Sequence, residues 1–210
     1  MSDLRRLVLS QNGGGFHDPQ YGVTIVTKNG RFIPCDIWNG LETPIAVCVK
    51  DSRIGALLLD LEIANKQWIS KDDEILEMPL ALKIDDAKLL MDGTYYTQCL
   101  LNVDNSINCI AGYATSRQIS IKDTIYIGYV PSVGEISILM EYDTDIQYAF
   151  TLIGIDFLNN AEIFLNMATS NQASSKTMWY YRYDRNVGFT NFSTSSKVAR
   201  VNIRAIYKYE

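Results

Sequence analysis

Histidine occurs once, at His17, and the four cysteines, Cys35, Cys48, Cys99 and Cys109, include no C-x-x-C pair. Thiols and imidazoles at such distances give no zinc-ligand spacing, so no metal site is expected. His17 lies just past three consecutive glycines, and no Ser-His-Asp set forms around it. The chain also has no G-x-S-x-G, no P-loop and no dinucleotide fingerprint, so no cofactor is expected. Converging carboxylates for glycoside hydrolysis are not excluded by sequence, but no residue marks such a pair. Positive charge is not in excess: the net charge is −5, which argues against affinity for nucleic acid through phosphate neutralisation. Long apolar runs are missing too, so no segment reads as a membrane-spanning helix. The run Leu7-Val8-Leu9 is too short for the apolar centre of a signal peptide. The expectation is a protein made and folded in a cytoplasm, carried outside a cell only by lysis or by a particle.

What is present is a 210-residue chain, 47% apolar, with thirteen tyrosines. That length allows one large or two small domains, each with a substantial core. The four cysteines read as reduced, buried thiols acting as small hydrophobes. Their spacing leaves a Cys99–Cys109 bridge open.

Residues 1–20 combine Leu4, Arg5, Arg6, Leu7, Val8 and Leu9 with Gly13-Gly14-Gly15. So many aliphatics in so few residues read as an arm that lays its apolar side on a partner protein, followed by a hinge. Residues 21–69 read as a small β module. Asn29-Gly30 marks one hairpin, with Phe32, Ile33 and Ile37 on its return. Pro44–Lys50 and Ile54–Asp60 form a second hairpin around Asp51-Ser52-Arg53. Ala46–Val49 and Ala56–Leu59 are apolar on both faces, so these strands must be covered on both sides. Residues 70–84 read as a polar loop. Its acidic run Asp72-Asp73-Glu74 lacks the alternating ligands and glycine turn that calcium requires.

Asp92-Gly93-Thr94 opens a helix through Cys99, Leu100 and Val103, ended by Asp104-Asn105. Ile107–Tyr113 and Ile119–Tyr126 then carry the chain to the stretch that organises the rest. There Val130-Pro131 is extended, and Ser132 followed by Glu135 forms a capping box. Val133, Ile136, Leu139 and Met140 make a helical stripe. Ile146, Ala149, Phe150 and Ile153 make a second, which Gly154 ends. The polar segment 156–176 reads as loop, with one short strand at Ile163–Asn166. Met178–Asp184 and Val187–Phe192 form a hairpin around Arg185-Asn186, and Val198–Tyr209 reads as one closing strand. Trp179, Tyr181 and Tyr183 alternate as the inward set of that hairpin, with Tyr180 and Arg182 outward.

Three stretches together carry a resemblance: Tyr129-Val130-Pro131-Ser132-Val133-Gly134-Glu135-Ile136, then Met178–Asp184, then Val198–Tyr207. Their order and spacing resemble the "W-x-L-P-S-x-G-E-L" signature, the "W-Y-V-N-F-S-N-G" hairpin and the closing "V-R-P-V-R-A-F" strand of the C-type-lectin-like domains. These domains occur in Bacteroidetes surface proteins and in virion proteins of Bacteroides phages, on the scaffold shared with the formylglycine-generating enzyme. The resemblance covers about Asp85 to the C-terminus. It departs at Phe164–Thr169, where the family has "Y-W-S-S-T". The copper chemistry of the enzyme on that scaffold needs paired cysteines near the domain's end. All four cysteines here precede residue 110, so the resemblance implies scaffold only.

The resemblance implies an α+β fold, with two or three short helices and a twisted antiparallel sheet over residues 70–210. It implies a non-enzymatic structural and adhesion protein of a phage particle: a head fibre, capsid decoration or tail-associated fibre. Expected partners are other virion proteins, copies of itself, and a host surface glycan or protein. A cell-surface or pilus-tip adhesin is the alternative reading, and a polysaccharide-active enzyme the next. Candidate ligand-binding residues, on the loops and hairpin after the second helix, are Asn171, Gln172, Tyr180, Arg182, Arg185, Asn186 and Asn191, with Trp179 beside them. Leu4, Arg5, Arg6, Leu7 and Leu9 are the candidate anchors.

Overall fold

The computed structural model describes residues 15–71, 75–157, 164–184 and 189–210. The architecture is α+β, with sheets that are antiparallel except where the strands Phe164–Gln172 and Arg200–Ile203 pair in parallel, and five α-helices among the described residues. None of those helices is long and apolar enough to cross a membrane.

The first sheet runs β12-β4-β3-β1-β2. It comprises β1 (Gly22–Thr27), β2 (Phe32–Pro34), β3 (Pro44–Asp51), β4 (Gly55–Asp60) and β12 (Ile206–Tyr209). Gly30 takes a φ of +72° in the β1–β2 turn, as the Asn-Gly signal requires. The return is shorter than expected. Pro34 ends β2 and Cys35–Ile37 forms a 3-10 turn, since proline offers no N–H to continue the ladder. The doubly apolar strands are covered on both faces, as their composition demands. Ile25, Val47, Leu57 and Leu59 pack in one cluster with Ile136, Leu139, Ile146 and Phe150; Val26, Cys48, Leu58 and Tyr207 pack in another. That second cluster is closed by Ile121 of β6 (Gln118–Ile121), with Tyr126 of β7 (Thr124–Ile127) packed against it.

The second sheet runs β10-β9-β8-β11-β5. It comprises β5 (Ala64–Gln67), β8 (Phe164–Gln172), β9 (Thr177–Asp184), β10 (Phe189–Ser196) and β11 (Arg200–Ile203). Two expectations are overturned here. The polar segment read as loop is a nine-residue strand, β8, whose Ser170, Asn171 and Gln172 are fully buried. Neighbouring backbone supplies partners to Asn171 Oδ1 and to the Gln172 amide, whereas the Ser170 hydroxyl and Asn171 Nδ2 are buried without a hydrogen bond among the described residues. The closing stretch is two strands, not one. β11 joins the second sheet antiparallel to β5, the chain breaks at Arg204-Ala205, and β12 joins the first sheet beside β4. The first 69 residues therefore lend β5 to the second sheet and receive β12 from the C-terminus.

The helices are α1 (Ile84–Lys88), α2 (Gly93–Val103), α3 (Ile110–Ser116), α4 (Val133–Leu139) and α5 (Asp143–Leu152). Two of them, α1 and α3, exceed the two or three expected. Helix α2 is capped as its sequence indicates, Asp92 Oδ1 accepting from the Tyr95 N–H at 2.9 Å. The capping box of α4 has both of its bonds. Helix α5 stops before Gly154, whose φ is +75°. Helices α4 and α5 share a core with both sheets through Ile136, Leu139, Ile146, Phe150, Met167 and Tyr181. Helices α2 and α3 pack with the other face of the second sheet through Leu100, Ile110, Trp68, Met178 and Ile203. All four cysteines are free, with Cys48, Cys99 and Cys109 buried.

Candidate recognition site

The second sheet and α4 are joined by residues that sequence reading placed on a binding face. A bulge between Ala168 and Gln172 swings β8 away from β9 toward the start of α4. The Ser170 N–H donates to the Pro131 carbonyl at 2.8 Å, and the Val133 N–H donates to Asn171 Oδ1 at 2.6 Å. Asn171 is thus a second cap on α4, alongside Ser132. Gln172 Nε2 donates to the Ile75 and Met78 carbonyls at 2.8 and 2.6 Å, and its Oε1 accepts from the buried Lys197 ammonium at 2.9 Å. Neither residue faces solvent, and both serve the fold.

Strand β9 is covered on both sides over Met178–Tyr181. Trp179 packs beside Val133, its indole N–H donating to the Ala81 carbonyl at 2.7 Å. Tyr181 lies in the core with α4 and α5. Tyr180, expected to point outward, is half-buried on the opposite face against the cluster of α2 and α3, its ring 6.4 Å from that of Trp68. An outward set exists only where one face meets water, and here helices occupy both. Arg182 is half-buried and Asn191 exposed. Arg185 and Asn186, the arm residues Leu4, Arg5, Arg6, Leu7 and Leu9, and the acidic run Asp72–Glu74 lie outside the described residues.

One groove gathers what the hairpin does offer. It encloses about 620 Å³ between α1, the end of α4 and the β9–β10 hairpin, within the range of small-ligand sites. Ile84, Met140, Tyr181 and Phe192 supply apolar surface; Lys88, Glu141, Ser137 and Asn191 supply polar groups. Tyr181 and Phe192 are cross-strand partners whose rings meet edge-on at 5.5 Å. The Ser137 hydroxyl is buried and makes no hydrogen bond among the described residues. Among the described sequence candidates, Asn191 alone lines this groove. Tyr181 was read as core, which it also is. The available signal for the groove was Phe192, an aromatic that falls directly across from Tyr181 in the hairpin register.

The rim is stiffened by ion pairs. Arg53, from the β3–β4 turn, chelates Asp51 at 2.9 Å and Glu141 at 2.8 Å, and the Tyr142 hydroxyl donates to Asp51 at 2.8 Å. Hydrogen bonds from Arg53 hold the Asp51 and Glu141 carboxyls below their usual range. Burial pushes the Cys48 and Cys109 thiols up to about 12, so both stay protonated and unreactive. Among the described residues no group of three or more His, Cys, Asp or Glu side chains is placed to hold a metal ion.

Comparison of the chain with protein-family models, with curated proteins and with solved structures gives no match.

Proposed function

We propose that this protein is a non-enzymatic structural and adhesion protein of a bacteriophage particle, built on a C-type-lectin-like domain. Its N-terminal arm anchors it to other virion proteins, and the β9–β10 groove takes a host surface glycan or protein side chain. The lectin-like and virion parts of this reading rest on the resemblance in the Ser132–Glu135 stretch, the hairpin and the closing segment. The observation that carries the recognition part is the groove itself, with apolar and aromatic surface ringed by a few hydrogen-bonding groups. Aromatic surface takes the apolar face of a sugar, while amide, hydroxyl and charged groups fix its hydroxyls.

The test is adherence of the purified protein to host cells and to isolated host glycans. The double variant Asn191→Ala, Phe192→Ala removes an aromatic and an amide from the groove. Loss of a hot-spot side chain costs about 2 kcal/mol or more of binding, roughly a thirtyfold drop in affinity. The control is Trp179→Ala, which instead damages folding, since truncating a buried aromatic costs about 3–5 kcal/mol. Normal adherence of the folded double variant removes the groove from the reading. A wild-type protein that binds neither cells nor glycans leaves only an architectural role.

A further inference from the structure

Each five-stranded sheet has two edges, and among the described residues three of those four are protected in ways that oppose strand addition. Strand β2 has three residues, ends in Pro34, and is bridged by Phe16, which pairs with Phe32. Strand β12 has four residues, carries Lys208, and its Ile206 is bridged to Tyr129. Strand β5 has four residues, carries Lys66, and is bridged at Gln67 by Cys109.

The fourth edge is built differently. Strand β10 runs eight residues, Phe-Thr-Asn-Phe-Ser-Thr-Ser-Ser, with no charge and no proline. It pairs with β9 in unbroken register from Phe189–Asp184 to Ser196–Thr177, with no bulge to twist the edge away. Among the described elements β9 is the only one with which it makes extensive contact. Along its outer side, alternate residues present backbone N–H and C=O groups in a straight row.

We propose that β10 is a self-association edge, pairing antiparallel with β10 of a second copy of this chain to join the two second sheets into one. The choice of a second copy follows from the strand's composition. Two-fold antiparallel pairing sets the residue on the axis opposite its own twin and every other residue opposite one equally far on the other side of the axis, so a charge at the strand's centre would meet a like charge. Between Asn191 and Ser196 the strand holds only Asn, Phe, Ser and Thr. Thr and Ser placed opposite one another hydrogen-bond favourably across strands. An edge that captures a foreign peptide instead pairs its backbone with side-chain pockets at alternate positions. On the face bearing Asn191, Ser193 and Ser195 this edge carries only small polar groups. The inference does not depend on the groove binding anything.

The experiment measures mass by light scattering and backbone-amide exchange by mass spectrometry on the full chain across a concentration series. The expected result is a species of twice the 23.7 kDa chain mass at high concentration. The β10 amides should exchange slowly there, and several-fold faster once dilution yields the monomer. Ser193→Lys with Thr194→Lys sets like charges near the two-fold axis and should give monomer at all concentrations. Thr194→Lys alone, at an exposed position, should shift the same equilibrium less and guards against a double variant that fails to fold. A wild-type chain that stays monomeric overturns the proposal, as does a folded double variant that still dimerises. A dimer whose β10 exchange ignores concentration overturns it too, because the contact then lies on another face.

Discussion

Two buried carboxylates, Asp60 and Glu135, are held in opposite ways. Asp60 ends β4 where the closing segment crosses between the sheets. Burial alone would raise its pKa. Arg117 outweighs that with bonds at 2.8 and 3.1 Å, helped by the Glu62 N–H and by the Tyr207 hydroxyl at 2.6 Å, and the carboxyl sits below its usual range. Glu135 has no ion pair among the described residues. Its partners are the Ser132 N–H at 2.8 Å, the Ser132 hydroxyl at 3.0 Å and the Tyr129 hydroxyl at 2.9 Å. Burial, reinforced by nearby Asp92, prevails over those bonds and pushes its pKa up. The backbone crowds it as well: a Cβ on Gly93 would collide with this carboxylate and with the Val130 carbonyl. The difference teaches that the neutral donors around Glu135 satisfy its geometry without offsetting its deeper desolvation, whereas the Arg117 cation tips the balance at Asp60.

The largest effect should come from Asp60→Asn. It leaves the Arg117 guanidinium with the largely exposed Glu62 carboxylate, 3.0 Å away, as its remaining ion-pair partner among the described residues, and removes a carboxylate that favours the charge of buried Arg204. That guanidinium lies 4.5 and 5.1 Å from the ring centroids of Phe150 and Phe157 and has its pKa lowered by burial to about 10. Breaking a buried pair costs about 3–5 kcal/mol, and the lower end applies because the Arg117 side chain keeps 29% of its surface exposed. Denaturant unfolding reads the loss. A change under about 1 kcal/mol would mean that the Asp60–Arg117 pair adds little to stability.

The next effect is a difference in sign. The native Asp60 pKa is depressed, so its contribution is present above the ordinary carboxylate range and fades as pH falls through the native value. The native Glu135 pKa is raised, so its contribution is full below that range and fades as pH rises through the native value. The deficit of Asp60→Asn against wild type should therefore shrink in acid. Glu135→Gln should gain on wild type as pH rises. Unfolding free energies across acidic to neutral pH check both, and a pH-independent gap for Glu135→Gln would mean that the carboxyl titrates normally.

The smallest effect is Ser132→Ala, about 1 kcal/mol for a lost N-cap. The Asn171 cap on Val133 remains, so α4 should persist in circular dichroism. Glu135 loses a donor at the same time, and the decline in stability as pH rises through its native pKa should grow. An unchanged melting temperature would show that Asn171 alone suffices to start the helix.

Sequence reading succeeded where the determinants are near neighbours. Ser132 and Glu135 are three residues apart, Asp92 caps a helix three residues on, and Asn29-Gly30 closes a hairpin between adjacent strands. It failed for β8. Asn and Ser favour turns when no distant partner is known, yet Asn171 finds its partner 38 residues back on α4 and Gln172 finds Ile75 97 residues back. The candidate groove was legible only in Asn191, because its apolar floor obeys the same alternation as any buried strand.

By itself the sequence determined the β1–β2 and β3–β4 hairpins, the capped starts of α2 and α4, and the covering of the first sheet on both faces. Each follows from local sterics, local hydrogen bonds or the period of apolar residues. Only the tertiary structure decided that the closing segment is divided between two sheets, that Tyr180 packs against Trp68, and that β10 is a long sheet edge with no bridge across it among the described residues. Strand order and the occupancy of a strand's second face depend on which elements meet across the chain, and no local periodicity records that.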